Sequence, residues 1–262
     1  MLASPILTKQ QLLLNAQDVR VDFVCHAHRL FPKMNSRIMQ LIDEPGNNCA
    51  PYHNAHHMMS VANAVMKVYE GVESTYRQRT IFLAAAFHDY HHSGGYFTDS
   101  FNIYNALQLF MPQIVDGAPQ FDLGSMDDLM YDFGTDEEGV QDILYQVVSL
   151  IRNTEFPYLS TNTIGVEPMS PLLRDMDRLS CECPDWYDQI YCRLFREQQV
   201  SNPTLTFNEF CWGQVQFVST MPLYSSLLAG KKLVNAIKNA RFVASIVDVQ
   251  DFTDPMELVH ES

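Results

Sequence analysis

The sequence lacks an excess of positive charge. Its 17 lysines and arginines stand against 31 aspartates and glutamates, a formal net charge of −14. Duplex nucleic acid is held largely through Lys and Arg on phosphates, so this balance argues against a nucleic-acid binder. It argues equally against an anionic membrane surface. No apolar run approaches the ~18 residues needed to cross a bilayer. The N-terminal MLASPILTKQQLLLNAQDV has no basic segment followed by an apolar one, so no secretion signal is expected. Six cysteines occur without a CxxC; Cys181 and Cys183 form only a CxC, which is weak as a metal motif. Reduced thiols in a cytoplasmic protein are therefore expected. Repeats and low-complexity segments are absent, and the period-2 alternation of strands is nearly so.

What is present is a chain of 262 residues, 47% hydrophobic and 18% charged, with enough apolar material for a sizeable core. Apolar residues recur at helical spacing over 11–31, 54–70, 76–91, 98–110 and 139–152, then over 171–181, 184–200, 206–219 and 222–246. Residues 112–138, rich in Gly, Asp and Pro, read as a long loop, and 153–170 as a second irregular stretch. The pattern predicts one all-α domain over 1–262, a compact multi-helix bundle, with its motifs between about 50 and 230.

The nine histidines are unevenly spread. Six fall within PYHNAHHMMSV (51–61) and LAAAFHDYHHSGG (83–95). On a helix, residues four apart share a face, which pairs His53 with His57 and His88 with His92. Asp89 adjoins the second pair. A lone His–Asp dipeptide is ordinarily a structural hydrogen bond. Here it ends a wholly apolar run, where an unpaired charge is unfavourable. Two histidine pairs with a carboxylate suit a divalent ion: imidazole favours Zn²⁺ and other transition ions, carboxylate and water favour Mg²⁺ or Mn²⁺.

His57, His88-Asp89 and Asp177 together resemble the H…HD…D signature of the HD-domain superfamily of metal-dependent phosphohydrolases. Tyr52-His53-Asn54-Ala55-His56-His57 resembles the YHNxxH motif of the 3′,5′-cyclic nucleotide phosphodiesterases within it. His88 to Gly94 resembles their HDxxHPG, with Ser93 for Pro. Asn153-Thr154-Glu155 resembles ATD, and Arg174-Asp175-Met176-Asp177 resembles AAD. Gln214-Val215-Gln216-Phe217-Val218, followed by Pro222-Leu223-Tyr224, resembles QVGFI…PLW. The likeness runs in order from residue 52 to about 225.

It implies an HD-type helical bundle that opens a cyclic nucleotide to a 5′-nucleotide. His57, His88, Asp89 and Asp177 would bind a first metal, Zn²⁺ or another transition ion. Asp89 would bridge to a second, Mg²⁺ or Mn²⁺, and water activated between them would be the nucleophile. His53 would be the general acid. His92, and Thr154 with it, would orient water. Gln214 would read the base edge, its amide offering a donor and an acceptor, with Phe217 stacked on the ring. His56 and His91 are expected to be structural.

The sequence departs from the family in places. The Glu expected after HDxxHPG has no counterpart in 98–106, where Asp99 or Asn102 are the candidates to replace it. Ser60 stands where an Asp is expected. Asp175 competes with Asp177 as the last ligand, with Asp177 preferred because Arg178-Leu179 follow it. Two rivals stay open: another HD phosphohydrolase (a nucleotidase, deoxynucleoside triphosphatase or cyclic-oligonucleotide hydrolase), or a module that binds nucleotide without turnover. Base choice and oligomeric state are not legible from these residues.

Overall fold

The computed structural model describes residues 9–69, 71, 74–115, 118–156, 169–228, 231, 233–250 and 253–258. They form an all-α bundle with one short hairpin. In order the helices are α1 (Lys9–Leu30), α2 (Asn35–Ile42), α3 (Ala55–Tyr69), α4 (Thr75–Phe87) and α5 (Asp99–Gln108). After strands β1 (Gln113–Val115) and β2 (Ala118–Gln120) come α6 (Met126–Phe133), α7 (Glu137–Arg152) and α8 (Met169–Arg178). A π-helical stretch over Tyr187–Leu194 runs into α9 (Phe195–Ser201), and α10 (Phe207–Thr220) and α11 (Val234–Gln250) complete the bundle.

Helix α4 lies at the centre, packed against α3 and α7, and α1 packs on α3 and reaches α4 through Phe23, which stacks on Phe82 at 5.1 Å. Its residues Ile81 to Phe87 are fully buried. The alanines at 84–86 let the neighbouring backbones approach closely, and the flanking Phe82 and Phe87 fill the space around them. Burying one such large side chain stabilises the fold by roughly 1.5–3 kcal/mol. A second apolar cluster is aromatic: Tyr187 and Tyr191 stack at 5.4 Å and pack with Trp186, Phe195, Phe207 and Phe210. Val215 on α10 touches both clusters and joins them.

The elements start where their caps dictate. Asp136 accepts the Gly139 N–H at 3.0 Å to open α7. Thr206 and Glu209 form a reciprocal capping box at α10. The expected loop over 112–138 is more ordered than its composition implies. It holds the β1–β2 hairpin and α6, which Ser125 caps at one end and Gly134, at φ 67°, closes at the other. Helix α2 is short, and its pattern was masked by Pro32 and the turn after it.

Two expected helices differ in extent. The one over 76–91 ends at Phe87, because the His91 N–H is taken by the Asn47 side chain at 2.9 Å and His91 itself sits at φ 56°. The one over 222–246 begins only at Val234. Residues 224 and 225 instead donate their backbone N–H groups to Asp175 at 2.8–3.0 Å, which holds that segment extended. Most of the irregular stretch 153–170 lies outside the described residues. No helix among the described residues is long and apolar enough to cross a membrane. Cys25, Cys49, Cys192 and Cys211 are free thiols.

Candidate metal centre and adjoining cavity

The two histidine pairs straddle helix ends rather than lying along helices. His53 precedes α3 and His57 is in its first turn. Asn54 sets that turn: its Oδ1 accepts the N–H of His56 at 2.9 Å and of His57 at 3.2 Å. His88 follows the last residue of α4, and Asp89 to His92 form the turn beyond it. The histidines therefore sit where the backbone changes direction, and can converge.

Four of the expected residues do converge. One ligand atom each from His57, His88, Asp89 and Asp177 lies within 4.8 Å of the others. Asp177 Oδ1 is 3.0 Å from His57 Nε2 and 3.2 Å from His88 Nε2. Asp89 Oδ2 is 3.0 Å from His88 Nε2 and 3.4 Å from His57 Nε2. His88 Nδ1–H donates to the carbonyl of Ala85 at 2.9 Å, which turns the Nε2 lone pair to the centre. Asp89 Oδ2 is buried and receives no hydrogen bond of good geometry. Inward-facing imidazole nitrogens around an orphaned carboxylate oxygen fit a divalent cation, whose charge would satisfy all of them at once.

The charges agree. Burial alone would raise the Asp89 and Asp177 carboxyls. The His88 and His53 charges outweigh it for Asp89, and hydrogen bonds from His57 and His88 outweigh it for Asp177, so both lie well below the usual range. His88 is correspondingly raised, burial being overcome by Asp89 and Asp177. A proton and a metal ion would compete for the same site.

Asp175, the alternative ligand, is fully buried but faces away. It accepts from Arg178 at 2.9 Å and from the backbone of Tyr224 and Ser225. His56 is held by Asp185 at 2.6 Å, and His91 stacks on Tyr90 at 4.0 Å and meets Glu44 at 3.1 Å. Both histidines are spoken for by structural partners.

His53 sits beside the quartet, and Glu197 on α9 binds it. One Glu197 oxygen takes the His53 Nδ1–H; the other accepts the backbone N–H of Tyr52 at 2.9 Å and of His53 at 3.1 Å. Burial opposes protonation of His53, but Asp89 and Glu197 prevail and hold its pKa at about 9. Sequence reasoning missed Glu197, which lies 144 residues away in an ordinary-looking FREQQVS. Only the π-helical turn before it, which shifts the helical phase, hints that α9 aims a carboxylate inward.

His92 stacks against His53 with ring centres 4.0 Å apart. Its Nδ1 receives the Gly94 N–H at 3.1 Å, and its Nε2 faces Asn102 Nδ2 at 2.9 Å. Asn102 is fixed in that sense because its oxygen accepts the Ser93 N–H. Both ring nitrogens of His92 are thus engaged by protein groups. Burial and the His53 charge lower its pKa to about 4, so it stays neutral. His53, Asp89 and His92 also lie close together. They do not offer a second open ligand set, because the nitrogens of His92 and the Nδ1 of His53 are already engaged.

A cavity of about 370 Å³ opens beside this centre. His53, His92 and Asp177 line one side, and Gln214 and Phe217 another. Gln214 is 9% exposed, and its carboxamide makes no hydrogen bond to a described residue. Thr154 is buried with its hydroxyl donated to the Ile151 carbonyl at 2.7 Å. The wall near it is formed by Phe156 and Asp99. Asp99 accepts the Phe156 N–H, and burial together with Asp89 and Asp177 raises its pKa to about 6.

Comparison with family models and with curated proteins finds no match to this chain.

Proposed function

We propose that the chain is a divalent-metal-dependent phosphodiesterase that opens a cyclic nucleotide to a 5′-nucleotide. The observation that supports this reading is one cavity that collects Asp177 of the ligand quartet, a cationic His53, and the Gln214–Phe217 pair. His57, His88, Asp89 and Asp177 would hold the first cation. A second, Mg²⁺ or Mn²⁺, would rest on Asp89 and water. Bound cations would supply an ionised water at neutral pH and neutralise charge at phosphorus.

The chain's own residues supply the rest. Glu197 holds Nδ1 of His53, which leaves the Nε2 proton free for the leaving 3′ oxygen. In the metal-free protein Asp89 and Glu197 favour the imidazolium, and Glu197 continues to favour it when cations occupy the carboxylates, which is the form a general acid needs. Neutral His92 packs on its ring and adds no competing charge. Gln214, buried with both amide groups unspent, can read a base edge in a water-poor site. Phe217 offers a face for stacking.

A second reading keeps the centre and changes the substrate: another phosphohydrolase acting on a linear or oligomeric nucleotide. The lack of a Glu in 98–106, where Asp99 and Asn102 are the candidates to replace it, favours it. Purified protein incubated with Mn²⁺ and a panel of cyclic mono- and dinucleotides and deoxynucleotides separates the two. Ring opening of a cyclic mononucleotide, lost in Asp89→Ala, is the expected result. Release of phosphate, or oligonucleotide cleavage, would move the function to the second reading. No turnover of any member would remove the enzyme.

A further inference from the structure

A second cavity of about 510 Å³ lies behind the metal centre, between α1, α3 and the chain that follows α8. The two cavities share their walls. At the end of α8, Asp177 and Arg178 line the first, while Met176 and Leu179 line the second. On α3, Ser60, Asn63, Ala64 and Lys67 follow helical spacing along the second, starting one turn after His57.

Two polar atoms on that α3 stripe have nothing bonded to them. Asn63 is 4% exposed, and its Nδ2 donates to the Val19 carbonyl at 2.8 Å. That bond fixes the amide, since a flip would set two oxygens face to face. Oδ1 is left buried with no donor, and so is Ser60 Oγ one turn earlier. A buried acceptor without a donor is unfavourable. An occupant with N–H groups would satisfy both atoms.

The charged groups narrow the choice. Asp18, Asp22, Glu182 and Asp185 line the cavity together with Lys67 and Lys231. Asp185 is committed to His56 and Gln189, and Glu182 accepts the Ala236 N–H at 3.2 Å. Exposed Asp18 and Asp22 remain as open carboxylates at the rim. Four carboxylates against two lysines leave the lining net negative, which adds to the preference set by the buried acceptors. Val19, Val68 and Leu179 give the cavity apolar sides.

We propose that this cavity is a second ligand site, for a small organic amine with an apolar body. Its N–H groups meet Asn63 Oδ1 and Ser60 Oγ, and Asp18 and Asp22 balance its charge. Occupancy is felt at the metal centre, because Asp185 in the cavity wall holds His56 beside His57, and Met176 adjoins Asp177. The site stands independently of the reaction proposed above.

The test is calorimetric titration of the full chain with benzylamine, benzyl alcohol and benzoate, which are matched in shape. A ligand of this size binds in the millimolar range at best. Benzylamine is expected to bind about tenfold more tightly than the other two. Asn63→Leu should weaken it about tenfold, the share of one buried hydrogen bond. Because Asn63 also anchors Val19, the exposed pair Asp18→Asn and Asp22→Asn is measured alongside, with circular dichroism to confirm the fold; its Kd should rise several-fold. Benzoate binding as tightly as benzylamine would overturn the proposal. So would a Kd unchanged in both variants, or a crystal structure at saturating benzylamine with ordered water alone in the cavity.

Discussion

Replacing Glu197 with Gln keeps the side chain's size and removes its charge. In the native protein Glu197 receives the His53 Nδ1–H and two backbone N–H groups at the entry to α3. The amide oxygen of Gln can still serve the backbone. Its NH₂ then faces Nδ1, where an acceptor is needed. His53 stands at about 9 against an ordinary 6.5, and its side chain is 26% exposed. That difference corresponds to about 3 kcal/mol, shared among Asp89, Glu197 and Asp177. The pKa is raised in the folded state, so this stability is fully present below about 6.5 and is lost as pH rises through 9. With cations on Asp89 and Asp177 their share falls away, and Glu197 is left as the main support. Glu197→Gln should lower the His53 pKa by about 1–3 units. It should destabilise the protein by about 1–3 kcal/mol at pH 7, with the gap closing as pH rises through 9. Histidine-labelled NMR titration reads the first quantity, and urea unfolding at pH 7 and 10 the second. If His53 titrates below 7 in both proteins, or the stability gap is the same at both pH values, the dyad does not hold a proton and the general-acid assignment loses its basis.

Metal content gives the next check: by elemental analysis Asp89→Ala should lose the cation, whereas His53→Ala should keep it and lose only turnover. Zn²⁺ affinity should climb as pH rises, about tenfold per unit for each proton displaced, because His88 holds one in the metal-free protein; a flat profile between pH 6 and 9 would speak against that competition. Gln214→Ala should raise KM about tenfold with kcat nearly constant, as loss of one buried hydrogen bond to the base implies. Asp175→Ala should destabilise by about 2–4 kcal/mol in urea unfolding while Zn²⁺ stoichiometry is retained, because it removes the acceptor of two backbone N–H groups, at Tyr224 and Ser225, and one partner of Arg178.

The helices of the core were legible because IFLAAAF, the α7 stripe and the α10 box carry their period and caps in adjacent residues. The gathering of His57, His88 and Asp89 was legible for a different reason: His and Asp in such clusters have few other uses beside an apolar run, whereas Asp177 rested on the resemblance alone. What stayed hidden is non-local. Nothing near Glu197 announces that it meets Tyr52 and His53, and nothing near Asp175 announces that it straightens 224–225. The histidine pairs were read as helical, and the turn that Asn47 imposes at His91 from 44 residues away ended α4 early. Thr154 looked presented to a ligand, yet its hydroxyl turns back onto its own helix. Such contacts depend on which distant backbone group is left without a partner, which composition and period do not encode.

The quartet joins parts of the chain that are far apart. His57 and His88-Asp89 belong to the adjacent α3 and α4, but Asp177 enters about ninety residues later. A cation there would tie a knot across a long loop, and the entropy of closing such a loop grows only slowly with its length. The α3–α4 portion can form early, from neighbours in sequence, with three ligands already gathered. The arrival of α8 then completes the knot. Chelation should therefore loosen the molecule unevenly: amide exchange in α8 should quicken first, while the buried run of α4 stays protected.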